Sequence, residues 1–252
     1  MDKHLINPDP LSSLKEFTAA RIAIGRTGTS IPIKETLQFK LAHAHARDAV
    51  YSVLDTEGLL NSLKIFNLPL LHLHSKAASR HKYLKRPDHG RQLDEESEEQ
   101  LKEHSSRYDI SIIVADGLSA EAVNQNAFDL LKILVPKLQS AELEIAPLCL
   151  VEQGRVAVGD DIGFGLNAKL SIILIGERPG LSAADSMGAY LTYDPRPGLT
   201  DESRNCISNI RPQGLKAKPA ADKIFYLVIE AFKRKLSGVG LKDDLVIGSL
   251  GH

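Results

Sequence analysis

The order of apolar and polar positions divides the chain into a first stretch of short, loosely patterned segments and a second stretch of continuous apolar runs. The plainest run lies within Ser171 to Gly180, where Ile172-Ile-Leu-Ile175 is stopped by Gly176, Glu177, Arg178 and Pro179. A short apolar run closed by turn chemistry predicts a strand buried on both faces of a parallel-type sheet. Ligands of open α/β sheets lie beyond the carboxyl ends of such strands, which directs attention to Glu177 and Arg178. Asp109 to Ala115 and Glu144 to Val151 predict further strands, and Arg155 to Val158 predicts a short strand or hairpin arm across the Gln153-Gly154 turn. After the first of these, Ser119 is placed to cap a helix whose stripe is Val123, Ala127, Leu130, Leu131 and Leu134, with Glu121 in the first turn where the helix dipole favours it. Pro136 should stop or kink that helix. Asp160 and Asp161 open a short helix. Leu181 to Tyr193 predicts a short helix and then a strand, Asp194 to Gly198 a turn, and the segment after Pro219 a strong helix lined by Ile224, Leu227, Val228, Ala231 and Phe232 and ended at Ser237-Gly238. Strands alternating with helices predict an α/β fold with a Rossmann-like doubly wound sheet over residues 107–252.

Before Arg107 the pattern is mainly helical. Leu11, Leu14 and Phe17 suit a short amphipathic turn, and Ile33, Leu37, Leu41 and Ala44 predict a helix after Pro32. Asp55 to Phe66 reads as another. Asp94 to His104 is almost wholly polar, as expected of a solvated or bridging helix. Residues 1–106 are therefore read as a smaller, mainly helical N-terminal region.

Composition narrows the function classes. The 252 residues are 43% hydrophobic and 25% charged, which suits ordinary globular cores, and the net charge of −1 gives no electrostatic basis for nucleic acid or an anionic membrane as the main partner. Cys149 and Cys206 have no CxxC spacing and suit a reducing compartment. No run approaches the roughly 18 apolar residues of a membrane span. A soluble cytoplasmic protein is expected.

Several motifs fall short on their own. Gly163-Phe-Gly165-Leu-Asn-Ala168 matches the G-x-G-x-x-A form of the dinucleotide fingerprint, but it precedes a strand instead of following one, so close packing is the better use of its glycines. The Ala19 to Gly28 segment lacks the Gly-Lys-Ser/Thr end of a phosphate cradle. His43 and His45 point roughly 200° apart around a helix. His72 and His74 would share a strand face, but no third ligand with recognisable spacing follows. Cys206 has no histidine fixed beside it by a motif, and Ser119 is accounted for by its capping role.

Taken together, Val151-Glu-Gln-Gly-Arg-Val-Ala-Val-Gly-Asp160, Ile175-Gly-Glu-Arg-Pro-Gly-Leu181 and Arg204-Asn-Cys-Ile-Ser-Asn-Ile210 closely resemble the ethanolamine ammonia-lyase light-chain family. The likeness extends through Ala115-Asp-Gly-Leu-Ser119, Tyr83-Leu-Lys-Arg-Pro-Asp88, Ala20-Arg-Ile-Ala-Ile-Gly-Arg26 and Gly238-Val-Gly-Leu-Lys242, essentially the whole chain. The resemblance implies an adenosylcobalamin-dependent lyase converting ethanolamine to acetaldehyde and ammonia. A separate heavy chain, a barrel, would hold the substrate, and the light chain would close over the cobalamin within a hetero-oligomer of heavy–light pairs. Residues 107–252 would then be the cobalamin-contacting domain, with no catalytic residue and no metal ligand of their own.

Family cobalamin-contact positions fall on Val156, Glu177 and Cys206. Glu177 would accept amide N–H bonds from the corrin rim, while Val156 and Cys206 would give backbone and apolar contact, Cys206 not serving as a cobalt ligand. Strand-end placement makes Asp116, Ser119 and Arg178 candidates for the nucleotide tail. Two departures are visible. His45 stands where many members have arginine, and the chain begins almost directly at the domain, whereas some longer relatives begin with an extension that directs them to a bacterial microcompartment. A cytoplasmic enzyme is expected, with a microcompartment as the alternative. The competing function is a non-catalytic cobalamin- or nucleotide-binding module; a Rossmann-like oxidoreductase is disfavoured by the misplaced glycine motif.

Overall fold

The computed structural model describes residues 9–18 and 20–243. Six strands form one mixed sheet: β1 (Leu70–His74), β2 (Tyr108–Ala115), β3 (Leu148–Glu152), β4 (Ala168–Gly176), β5 (Met187–Tyr193) and β6 (Arg204–Ile210), in the order β1-β3-β2-β4-β5-β6. The first four are parallel, and β5 and β6 then turn back antiparallel. The α/β class therefore holds, but the sheet is mixed where the Rossmann-like expectation has parallel strands. Strand β1, from the stretch before Arg107, pairs along its whole length with β3.

Helices cover both faces. On one side α2 (Thr56–Leu63), α5 (Ala120–Ser140) and α7 (Ala217–Arg234) pack Leu63, Leu131, Leu134, Ile224 and Val228 against Ile112, Leu150, Ile172 and Leu191 of the sheet. On the other side α4 (Glu95–Glu103) and α6 (Val158–Gly165) bring Leu101, Val158 and Ile162 onto Ile113, Val151 and Ile173. A short helix α3 (Arg80–Lys85) lies between β1 and α4. Central strands buried on both faces explain why β2 and β4 read as continuous apolar runs.

Helix α1 (Ile33–Val50) forms as its periodicity predicts, yet among its residues only Ala49 is buried. Ile33, Leu37 and Leu41 are 74%, 58% and 56% exposed, so the stripe has no partner within the described chain.

Four local expectations change. Helix α5 passes through Pro136 to Ser140. Pro136 and Lys132, whose carbonyl loses its donor, are both exposed, so the freed carbonyl is not shut away in the core. Arg155 to Val158 is a turn leading into α6, with Val158 N–H bonded to Arg155 O at 2.9 Å, and no hairpin arm. Leu181 to Asp185 forms turns in place of a short helix. The last helix begins at Ala217, with Pro219 inside its first turn. The Gly163 and Gly165 positions are packing sites as expected: a Cβ on Gly163 would lie 2.6 Å from Pro195 Cγ, and one on Gly165 3.0 Å from Leu101 Cδ1.

Candidate functional site

Parallel strands β2, β3 and β4 end on one edge of the sheet, and their following residues build a cleft of about 1480 Å³. Close approach of two loops makes its floor. Gly117 has φ +59°, and a Cβ there would lie 2.2 Å from Gly176 O; this lets Leu118 N–H donate to that carbonyl at 2.9 Å.

Beneath the floor is a buried polar cluster. Asp116 Oδ1 accepts from Gly154 N–H at 3.0 Å, and Arg80 Nη1 stands 3.6 Å from Oδ2. Burial pushes the Asp116 carboxyl up to about 6, a rise that Arg80 and the neighbouring backbone N–H groups restrain. The same guanidinium donates to Gly117 O at 2.7 Å and, through Nε, to Val50 O at the end of α1 at 2.6 Å. Tyr83 lies between two cations, with Arg80 4.7 Å and Arg155 4.4 Å from its ring centre, and donates to Gly154 O at 3.2 Å. Burial raises its phenol well above the ordinary range.

The opposite rim is the segment before β6. Arg204 forms a buried ion pair with Asp160 of α6 and also donates to Leu199 O at 3.0 Å and Asp201 Oδ1 at 2.9 Å. Burial raises the Asp160 carboxyl, and Arg204 opposes the rise. The neighbouring Asp161, which lines the cleft, is pushed up to about 6 by burial and by the nearby Asp160 and Glu98 carboxylates.

Val156 and Glu177, far apart in sequence, line the same cleft, as does Arg178. Val156 is half-buried against the α4–α6 side of the core. Glu177 Oε2 accepts from Ser186 Oγ–H at 2.5 Å and from Asn209 N–H at 3.2 Å, and Oε1 takes no hydrogen bond from the described residues. Cys206 is not on the cleft wall itself. It pairs across the sheet with Tyr190, which is on the wall. Cys206 is exposed, but the adjoining sheet desolvates its sulfur enough to raise the thiol, with Glu177 adding to the rise.

The strand-end candidates separate. Arg178 is exposed in the cleft, whereas Asp116 and Ser119 are buried below it, and Ser119 Oγ caps α5 at Ala122 N–H while donating to Ala184 O at 2.8 Å. His45 is exposed on α1. His72 Nε2 bonds Glu152 Oε1 at 2.8 Å, and His74 Nδ1 bonds Ser75 O at 2.6 Å.

Sequence reasoning passes over Ser186, Tyr190, Asn209, Arg155 and Arg204. Arg204 alone carried a usable signal, as a cation opening a strand; Ser186, Tyr190 and Asn209 gain their roles from pairings made across the sheet, and Arg155 from its contact with Tyr83 of α3.

The family model described as Ethanolamine ammonia-lyase light chain (EutC) matches residues 8–242. The chain is 50% identical over 258 aligned residues to the ethanolamine ammonia-lyase small subunit of Pseudomonas aeruginosa (strain LESB58), covering 99% of this chain and 94% of that one. It is similarly 50% identical to the small subunit from Pseudomonas fluorescens (strain SBW25), with 96% and 90% coverage, and 48% identical to that from Pseudomonas putida (strain GB-1), with 99% and 94%. A family model matching residues 8–242 and about half the residues identical along nearly the whole length lead to one conclusion: the chain belongs to the ethanolamine ammonia-lyase light-chain family.

Proposed function

We propose that this chain forms one wall of an adenosylcobalamin site whose other wall is the heavy chain, and that the assembled pair deaminates ethanolamine to acetaldehyde. Val156, Glu177 and Cys206 are the cofactor-facing positions, carried by residues 107–252. The observation that supports this reading most is the Glu177 carboxylate on the cleft wall: one oxygen is bound by the protein and the other has no donor among the described residues. Such an acceptor fits the amide-bearing rim of a corrin. The volume exceeds the ~300–1,000 Å³ of ordinary small-molecule pockets, as a cofactor of that size requires.

When bound, adenosylcobalamin supplies the radical chemistry, and this chain's residues position it. Glu177 fixes the rim by accepting N–H bonds; Val156 presents an apolar surface; Tyr190 and Cys206 lend a neutral hydroxyl and thiol, which burial pushes further from ionisation. The Arg204–Asp160 pair holds the far rim in place and limits water access. The exposed stripe of Ile33, Leu37 and Leu41 supports a heavy-chain contact, because apolar patches of this kind are seldom left bare. Among the described residues no helix is long and apolar enough to cross a membrane, and we place the assembly in the cytoplasm, with a microcompartment as the alternative.

Co-expression with a heavy chain tests the proposal. Ammonia release from ethanolamine with added adenosylcobalamin is expected from the pair and from neither chain alone; a pair that assembles without activity, or no stable pair, would overturn it. Glu177→Ala in the pair is expected to weaken cobalamin binding.

A further inference from the structure

Three successive strands converge on the Glu177 carboxylate. Glu177 and Ser186 form the rung that follows Gly176 and Met187, with Glu177 N–H donating to Ser186 O at 3.0 Å. Directly opposed residues of an antiparallel pair send their side chains to the same face, which brings the buried Ser186 hydroxyl onto Glu177 Oε2. On the next strand the register shifts between Met187 and Ala189, and Asn209 turns left-handed at φ +60°. Its N–H is thereby turned toward Oε2, as bulges commonly re-aim backbone groups. The turn is held on both sides: Asn209 O accepts from Leu215 N–H, and Asn209 Oδ1 from Arg211 Nε–H, each at 2.7 Å. Gly188 leaves room beside the other oxygen, since a Cβ there would lie 3.1 Å from Glu177 Oε1.

We propose that Ser186 and Asn209 are positioning residues that hold Glu177 as an acceptor selective for primary carboxamides. The light chain would then distinguish a cobalamin with intact propionamide arms from one in which an arm has been hydrolysed to a carboxylic acid. The proposal rests on the cobalamin reading above. Two donors occupy Oε2 and fix the carboxylate plane, which leaves the remaining oxygen to meet an incoming N–H. A carboxylate in the same place brings no proton to share and sets like charges together, and a site built for one hydrogen-bonding group rejects analogues lacking it.

The test is equilibrium binding of cyanocobalamin and of its three propionamide monocarboxylic acids to the assembled heavy–light complex. At least one acid is expected to bind roughly tenfold more weakly than the parent. Glu177→Gln should bring that ratio toward one, because an amide can face either group. Ser186→Ala should weaken binding of the parent and lower the ratio, and Ser186→Thr should restore both. If Ser186→Ala fails to fold, Asn209 serves instead: Asn209→Gly keeps the left-handed backbone and its N–H and should keep the ratio, whereas Asn209→Val, disfavoured in that conformation, should lower it. Equal binding of all four corrinoids, or ratios unchanged in the folded variants, would overturn the selectivity while leaving the cofactor assignment standing. Failure of the wild-type complex to bind cyanocobalamin at all would remove both.

Discussion

Asp116 is 4% exposed in its side chain and has its carboxyl pushed up to about 6, while in the unfolded chain it titrates near ~3.9. Between those values the folded state binds more protons than the unfolded one. Stability from this group is therefore fully present below pH ~4 and is lost as pH rises through about 6, by about 3 kcal/mol at ~1.4 kcal/mol per pKa unit. Asp116→Asn should flatten that slope, measured as denaturant midpoint against pH. Nearby, a Cβ on Gly176 would lie 2.0 Å from Ser119 O, so Gly176→Ala forces apart the loops of the cleft floor. A loss of ~3 kcal/mol or more is expected in thermal unfolding. These residues show where sequence reading stops. Glu177 was legible because an apolar run ended on it, and Ser119 because a helix began after it. Ser186 and Asn209 were not, because a serine before a strand and an asparagine inside one acquire meaning only from the neighbours that the fold supplies.

Elements differ in how far their own pattern determines them. Helix α5 was readable from its stripe and its cap, and misread only at Pro136, where the exposed face leaves the freed carbonyl accessible to solvent, so the proline costs less than in a buried interior. Strand β6 was not readable: Ile207 and Ile210 stand three apart in one core because the bulge at Asn209 breaks the period of two, while the buried Arg204 points to the opposite face. What holds β6 to α6 is the Arg204–Asp160 pair, each side chain 3% exposed. Replacing one member leaves the other charged and buried, so Asp160→Asn or Arg204→Met should each cost ~3–5 kcal/mol, whereas a double replacement by Asn and Met should cost less than the sum. A double-mutant cycle by chemical denaturation measures this.

At the scale of the whole molecule, the stripe on α1 was legible as helix, but periodicity does not say what covers an apolar face. Since Leu37 is 58% exposed, Leu37→Asp should change the light chain's own stability by less than ~0.5 kcal/mol. The same variant should weaken assembly with a heavy chain, measured by sedimentation of the mixture. The α/β class followed from alternating strands and helices; the antiparallel turn at β5 did not, because the irregular stretch between β4 and β5 gives no sign of strand direction.

That turn back has a consequence for folding. Strands β4, β5 and β6 form a meander in which Glu177, Ser186 and Asn209 meet within one short length of chain, whereas β1, β3 and β2 join only through long crossovers. Loops that are short to close form sooner, so the carboxylate wall of the cleft should acquire protection early in refolding and the Asp116 cluster, which needs residues from Arg80 to Gly154, should acquire it late. Pulse-labelling hydrogen exchange that found the amides of Glu177 and Gly154 protected at the same rate would contradict this order. The cleft would then be assembled in two stages, its carboxylate wall in place before the loops that close its floor.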